Sequence, residues 1–138
     1  MARMNESKLA SGLMTGLLVL TIIFHLLVLL QIIPYTIVWA GRLNNLQEMY
    51  VFEAISILLN LLLLWVIVQK AGYIKSVITE RYLNMVLWLF VIIFALNTIG
   101  NLFSKNQFEF IFGTAFTLLS SLLCWLIVRK ANPGYTKG

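Results

Sequence analysis

Four long apolar runs, bounded by charged and polar residues, divide the chain. They cover residues 13–40, 51–70, 82–103 and 108–129. A helix needs about 20 mostly apolar residues to cross a hydrocarbon core of ~30 Å. The apolar positions are continuous, whereas the strands of a membrane barrel alternate apolar and polar residues. The pattern predicts an all-α fold, a four-helix transmembrane bundle forming a single membrane domain over residues 1–138.

The first run is longer than a membrane span requires. As a straight helix, residues 13–40 would be about 42 Å long at 1.5 Å per residue. Pro34 lies inside this run. Proline lacks the backbone N–H that a helix interior uses, so it bends or ends a helix. We therefore expect this segment to tilt, to bend at Pro34 or to protrude from the hydrocarbon.

The second and fourth runs resemble each other. Residues 52–71 and 112–131 share the pattern W-x-I-V-x-K-A at an offset of 60. The first and third runs end on a similar glycine–leucine pattern, at residues 41–43 and 100–102. We expect two similar helical hairpins, related by a pseudo-twofold axis along the membrane normal, as in transporters built from parallel repeats.

Composition and charge agree with a membrane protein and orient it. Charged residues make up 11% of the chain and the mean hydropathy is +0.93, whereas soluble domains carry about 25% charged residues. Of the ten lysines and arginines, two, Arg42 and Lys105, lie on one side of the predicted membrane. The other eight lie on the opposite side: Arg3, Lys8, Lys70, Lys75, Arg81, Arg129, Lys130 and Lys137. The positive-inside rule predicts both termini in the cytoplasm.

The basic residues stand at the ends of the apolar runs and form no single patch. This distribution favours membrane lipids as partners and argues against nucleic acid, which binds clustered basic residues. Small residues recur every four positions at Gly113, Thr117 and Ser121. Such spacing lets helices approach closely, which is compatible with a homo-oligomer or a partner membrane subunit.

Polar residues near one end of all four predicted helices are the candidates for a ligand site. They are Arg42, Glu53, Asn60, Asn97, Asn101, Lys105 and Glu109. Polar groups inside lipid are costly and usually face the bundle or a cavity, so we expect these residues to converge. Two interpretations stay open. The cluster forms an outward-facing pocket for a small polar molecule or a lipid headgroup, or its ion pairs, such as Arg42 with Glu53, only hold the bundle together.

The single histidine, His25, is a candidate for proton coupling because imidazole titrates near physiological pH. We expect it near the middle of the membrane; a neutral His25 bonded to Thr21 or to another helix is the alternative. The single cysteine, Cys124, lies in an apolar run. One histidine and one cysteine cannot build a standard zinc site. The sequence therefore predicts no metal site and no cofactor.

Several strings resemble a group of small four-span bacterial membrane proteins to which no activity is assigned. They are WAGRL at residues 39–43, MYVFE at 49–53, LNTIGNL at 96–102, then Lys105 and the pair Phe108 and Glu109. The resemblance covers residues 35–130. It implies a multi-pass protein of the bacterial inner (cytoplasmic) membrane and says nothing about activity.

Two other membrane families match in size but not in their motifs. Small multidrug transporters carry a glutamate in the first span, and this first span has none. The four-span glutathione and eicosanoid enzymes have an arginine–asparagine–glutamate pattern, which Arg42, Asn45 and Glu48 do not reproduce at the required spacing.

Three functions therefore remain open. The first is binding or transport of a small molecule or lipid at the outward-facing polar cluster. The second is a structural or accessory membrane subunit without a ligand site. The third is a membrane enzyme acting on a lipid or quinone, which would place an unpaired titratable group in an open cavity. The sequence favours a protein that is not an enzyme and names no catalytic residue.

Overall fold

The computed structural model describes the backbone of residues 2–129 and the side chains from residue 6 onward. Four α-helices dominate this part of the chain, with two 3-10 turns after α1 and one π-turn before α4. The elements are α1 (Ala2–Leu29), the 3-10 turns Tyr35–Ile37 and Trp39–Gly41, α2 (Leu46–Lys70), α3 (Glu80–Leu102), the π-turn Glu109–Gly113 and α4 (Thr114–Val128).

Each helical segment is long and apolar enough to cross a membrane. These segments are Glu6–Leu29, Leu46–Lys70, Glu80–Leu102 and Glu109–Val128, with mean hydropathies between 2.1 and 2.5. Many large apolar side chains on their outer faces are exposed, among them Leu58, Ile92 and Leu122. Such a surface suits lipid and not water. The prediction of an all-α four-helix transmembrane bundle is confirmed.

The helices pack as a ring of four. α1 contacts α2 and α4, and α3 contacts the same two helices. We call the end that holds residues 30–45 and 103–108 the distal end, because both hairpin connections lie there. The opposite end holds residues 71–79, between α2 and α3, and is called the basal end.

The prediction that residues 13–40 form one helical span is wrong at both ends. α1 begins at Ala2 and stops at Leu29, five residues before Pro34. Gln31 adopts a positive φ of 59°. The N–H of Ile32 donates to Leu27 O and that of Gln31 to Val28 O. This is the Schellman arrangement, which satisfies the last carbonyls of a helix and ends it.

The segment after α1 folds back over the distal end. Pro34 precedes the first 3-10 turn in an extended conformation. Val38 and Leu43 from this segment are buried against Val28 of α1 and Met49 of α2. The distal ends of α1 and α2 are therefore covered by an apolar cap made from the chain that links them.

The inner faces of α2 and α4 repeat near the basal end. Leu63 and Ile67 are buried on α2, and Leu123 and Ile127 are buried on α4, at an offset of 60. Trp65 and Trp125, also 60 apart, are both exposed. These positions agree with a duplicated hairpin, which stays a prediction because it concerns the superposition of the halves.

The basal connection is held by buried polar contacts. The Lys70 ammonium lies 2.5 Å from a carboxylate oxygen of Glu80. The side-chain oxygen of Gln69 accepts the N–H of Val77 at 2.9 Å. Gly72, at φ 77°, ends α2 in the same Schellman arrangement that ends α1. These contacts fix the turn from α2 into α3.

Candidate functional site

The start of α2 determines where Glu53 lies. Asn45 caps the helix, its side chain accepting the N–H of Glu48 at 2.9 Å. The Glu48 carboxylate in turn accepts the N–H of Asn44. Reciprocal capping of this kind fixes the first helical turn. Glu53 follows about two turns later, one turn from Met49 on the buried face of the helix.

The Glu53 side chain is completely buried, and both of its oxygens are bonded. Oε2 lies 2.6 Å from Nδ1 of His25 on α1. Oε1 accepts the indole N–H of Trp39 at 2.8 Å. Buried carboxylates are stable only when paired or hydrogen-bonded. The carboxylate therefore joins α1, α2 and the distal connection at one point.

Trp39 reaches Glu53 from an unusual backbone. Trp39, Ala40 and Gly41 all have positive φ, at 55°, 57° and 66°. Left-handed conformations cost free energy in residues other than glycine and persist where surrounding contacts enforce them. Here those contacts are the bond to Glu53 and the packing of the indole on Phe52, with ring centroids 5.1 Å apart.

His25 lies closer to the distal end than the sequence predicts. It stands four residues before the end of α1, about 6 Å along the helix, because α1 stops at Leu29. Its predicted alternative partner, Thr21, instead donates to Leu17 O. The His25 side chain is 15% exposed, whereas Glu53 is 0% exposed. In the described part of the chain, Nε2 of His25 makes no hydrogen bond.

The pair can hold one proton in two ways. Either His25 is cationic beside an ionised Glu53, or both groups are neutral, with the proton on the carboxyl. Neither arrangement has a net charge, so both are tolerated in an apolar interior better than a lone ion. Gain or loss of a further proton leaves a net charge there.

A second polar contact joins α3 to α4. The hydroxyl oxygens of Thr98 and Thr117 lie 2.9 Å apart. Thr117 donates to Gly113 O, and the Asn101 amide lies 3.4 Å from the Thr117 hydroxyl. A Cβ at Gly113 would lie 3.0 Å from the Asn101 amide nitrogen. The absence of a side chain at residue 113 therefore makes room for Asn101.

Glu109 opens the π-turn, and no cationic partner for it lies among the described residues. Its carboxylate accepts the hydroxyl of Ser104 at 2.9 Å. The Asn106 amide donates to Ile37 O at 2.6 Å, so the two distal connections are bonded to each other. This contact links the two hairpins at the distal end.

The residues predicted to converge do not form one cluster. Asn60 is half-buried, and among the described residues its side chain bonds only to Ser56 O of its own helix. Asn97 is exposed and makes no hydrogen bond among the described residues. Glu53 and Glu109 pair with histidine, tryptophan and serine, so the expectation of ion pairs with the two distal cations is wrong.

Those two cations, Arg42 and Lys105, are exposed. Neither has an ion pair or a side-chain hydrogen bond within the described part of the chain. A fully solvated guanidinium or ammonium loses no hydration, whereas moving it to buried Glu53 would cost more than the pairing returns. At Glu53 the partner is therefore His25 of α1, whose ring lies 2.6 Å from the carboxylate, and not Arg42.

The sequence predicts Glu53 and His25 as separate candidates and misses Trp39. Their pairing depends on where α1 ends and how residues 30–45 fold back, and neither follows from periodicity. One signal was present: an indole donor, a carboxylate and an imidazole at adjacent ends of a helical hairpin can satisfy one another.

Comparisons of this chain with protein-family models, with curated proteins and with solved structures found no match. The functional argument therefore depends on the residues and their geometry. Within residues 2–129, no group of three or more His, Cys, Asp or Glu side chains is arranged to hold a metal ion.

Proposed function

We propose that the protein binds or transports a small molecule or lipid at its distal end, and that protonation of the Glu53–His25 pair controls this activity. We further propose that it lies in the bacterial inner membrane with both termini in the cytoplasm. The distal end then faces outward. The partition of the ten basic residues along the sequence, eight against two, supports this orientation.

The observation that carries the proposal is the complete burial of Glu53 inside a helix able to span a membrane. Ionisable side chains in such helices are expensive and mark substrate, ion or proton pathways. A bundle with apolar residues at this position would pack without that cost. The pairing of Glu53 with the one histidine makes it suited to proton exchange, because imidazole changes charge near neutral pH.

Trp39 links the pair to the surface where a ligand would arrive. It belongs to the distal connection and holds one oxygen of Glu53. A change in the charge of Glu53 alters the strength of that bond, since hydrogen bonds to ionised acceptors are about twice as strong as neutral ones. Protonation thereby changes how firmly residues 30–45 cover the distal end, and ligand binding there changes protonation in return.

A structural or accessory role is the second candidate. It is favoured by the saturation of Glu53, whose two oxygens are both bonded within the protein. An enzyme is supported less, because a general acid or base must come within hydrogen-bond reach of its substrate. Glu53 is closed off on both sides by its own partners.

The test compares the wild type with Glu53→Gln, using Glu109→Gln as a matched control on the second hairpin. Each is purified in native lipid nanodiscs at neutral and at acidic pH. Mass spectrometry identifies and quantifies the lipids and metabolites retained, and thermal unfolding is recorded on the same samples.

We expect wild type to retain a molecule in a pH-dependent manner. Glu53→Gln should unfold close to wild type and lose the pH dependence, while Glu109→Gln keeps it. A Glu53→Gln variant that melts far below wild type would support the structural role. Unchanged retention and unchanged melting would show that Glu53 serves neither function.

A further inference from the structure

We infer that the face of α3 around Asn97 is an interface with a second copy of this chain, closed by hydrogen bonds between the two Asn97 amides. This inference is independent of the proposed function, because Asn97 takes no part in the Glu53 contacts. It concerns a homodimer formed within the membrane.

The first observation concerns the hydrogen bonding of Asn97. Its side chain is exposed, and it makes no hydrogen bond among the residues that the structure describes. The other asparagines on the predicted cluster differ: Asn60 bonds to its own helix, and Asn101 packs against Gly113 and Thr117. Asn97 is the exposed member of that set.

The second observation is the depth of Asn97. α3 has 23 residues, about 34 Å at 1.5 Å per residue, which matches a hydrocarbon core of ~30 Å. Asn97 lies five residues, about 7.5 Å, inside the distal end of that helix. At this level of the helix Leu96 and Ile99 are exposed at 61% and 53%, so lipid would contact α3 here. The exposed Asn97 side chain therefore lies on a part of α3 that lipid would contact.

An unpaired amide in hydrocarbon is unstable, because lipid tails offer no hydrogen bond. Asparagine side chains in membranes accordingly bond across helices. The primary amide is self-complementary, with two N–H donors and one carbonyl acceptor. Across a twofold axis, each Asn97 can donate to the other, so an identical copy satisfies both amides.

Gly100 makes close approach possible at the same place. It lies one turn from Asn97, and a Cβ built there would have no atom within 4 Å. The α3 surface therefore has an open notch beside the amide. A glycine next to a polar residue brings two helix backbones near enough for side-chain bonds. The amide and the notch together point to another helix as the occupant.

The first experiment is disulfide cross-linking in native membranes. Cys124 is buried, and Cys124→Ser provides a background without native thiols. Asn97→Cys is compared with Ile99→Cys, which is equally deep but lies about 160° around the helix. We expect oxidation to convert Asn97→Cys to a dimer and to leave Ile99→Cys monomeric. Efficient cross-linking of Ile99→Cys alone would overturn the inference.

The second experiment measures association by energy transfer between labelled copies in liposomes, over a range of protein-to-lipid ratios. We expect the wild type to dimerise and Asn97→Leu to associate about tenfold more weakly, as loss of an interhelical hydrogen bond implies. Asn97→Gln, which keeps the amide, should retain most of the association. Because residue 97 is exposed, none of these changes disturbs the bundle.

Equal association of wild type and Asn97→Leu would overturn the proposal, since the amides would then contribute nothing. A wild type that stays monomeric at every ratio would overturn it too. In that case Asn97 meets a lipid headgroup or a different protein.

Discussion

Glu53 in the first hairpin and Gly113 in the second occupy corresponding positions of the two similar sequences, 60 residues apart. The first hairpin places a carboxylate there and surrounds it with His25 and Trp39. The second places no side chain there and fills the space with the amide of Asn101. The same position is thus occupied by a bonded carboxylate in the first hairpin and by the amide of a neighbouring helix in the second.

The connections between the helices also differ between the two hairpins. The first hairpin uses residues 30–45, which fold back as an apolar cap and supply the indole for Glu53. The second uses residues 103–108 and a π-turn, where hydroxyls and amides bond locally. Side chains of the shorter connection bond to Glu109 and to Ile37 O. The longer connection instead covers the buried carboxylate of Glu53.

The two hairpins also differ in whether an ionisable side chain takes part in the contact between their helices. The Thr98–Thr117 contact between α3 and α4 has no group that titrates near neutral pH, so it is a fixed bond. The Glu53–His25 contact between α1 and α2 consists of two ionisable side chains. If the hairpins arose by duplication, only the first has an ionisable pair between its helices.

Among the substitutions that test this comparison, removal of the Glu53 side chain should lower the free energy of unfolding most. Glu53→Ala leaves the Trp39 N–H and His25 without their acceptor and opens a cavity. We expect a loss of about 3–5 kcal/mol in the free energy of unfolding, as found when one partner of a buried pair is removed. Denaturation in detergent, followed by helical circular dichroism, measures it.

Glu53→Gln is the matched control, because the amide still accepts from Trp39. Its loss should be about 1–2 kcal/mol. An alanine variant as stable as wild type would show that the contact does not hold the first hairpin together.

Loss of the Trp39 indole donor should cause the second-largest decrease in the free energy of unfolding. Trp39→Phe keeps an aromatic ring beside Phe52 but removes the N–H that reaches Glu53. Hydrogen bonds to charged acceptors contribute about 1.5–3 kcal/mol, and we expect a loss in that range. Because the bond holds the distal connection, limited proteolysis should also cleave residues 30–45 faster.

The same substitution at Trp65, which is exposed on α2, controls for the general effect of replacing tryptophan. Trp65→Phe should melt like wild type. If the two variants behave alike, the left-handed segment is held by something other than its bond to Glu53.

Most of the fold follows from the sequence, because lipid allows few alternatives. Runs such as residues 82–103 must be helical where no water can satisfy the backbone. Charge at the run ends marks their limits. The boundary of the first span does not follow in this way, since residues 30–38 carry no charge and are still mostly apolar. Gln31 ends α1 by a backbone arrangement that hydropathy does not record.

The candidate site is predictable only in part. Glu53 and His25 stand out because ionisable residues are rare in apolar runs. Their pairing does not follow, since charge alone favours Arg42, and only the cost of burying a guanidinium decides against it. Asn97 and Asn101 share a helical face by spacing. The structure separates them because Gly113 makes room for one of them.

Addition of a methyl group at Gly113 should perturb the second hairpin less than the losses at Glu53 and Trp39. The new Cβ would lie 3.0 Å from the Asn101 amide nitrogen and 3.1 Å from its Cγ. That distance is too short, so the amide must move. We expect Gly113→Ala to cost about 1–2 kcal/mol, as overpacking does.

A double-mutant cycle with Asn101→Ala isolates the clash. Combining the two substitutions should cost less than the sum of the separate changes, because the added methyl then occupies the space of the amide. Additive effects would mean that Gly113 is needed for another reason, such as the geometry of the π-turn.

The smallest expected effect is at Thr117, where the second hairpin is bonded without charge. Thr117→Val keeps the volume and removes the hydroxyl shared with Thr98 and Gly113 O. A neutral hydrogen bond contributes about 1 kcal/mol. Thr98 retains an acceptor in Phe94 O of its own helix, which limits the loss. Thr117→Ser, which keeps the hydroxyl, should restore most of the stability that the valine variant loses. Because neither side chain ionises near neutral pH, the loss for Thr117→Val should be the same at pH 5 and pH 8. A loss at Thr117 that equals the loss at Glu53, or that changes with pH, would remove the distinction between a fixed contact in one hairpin and a titratable contact in the other.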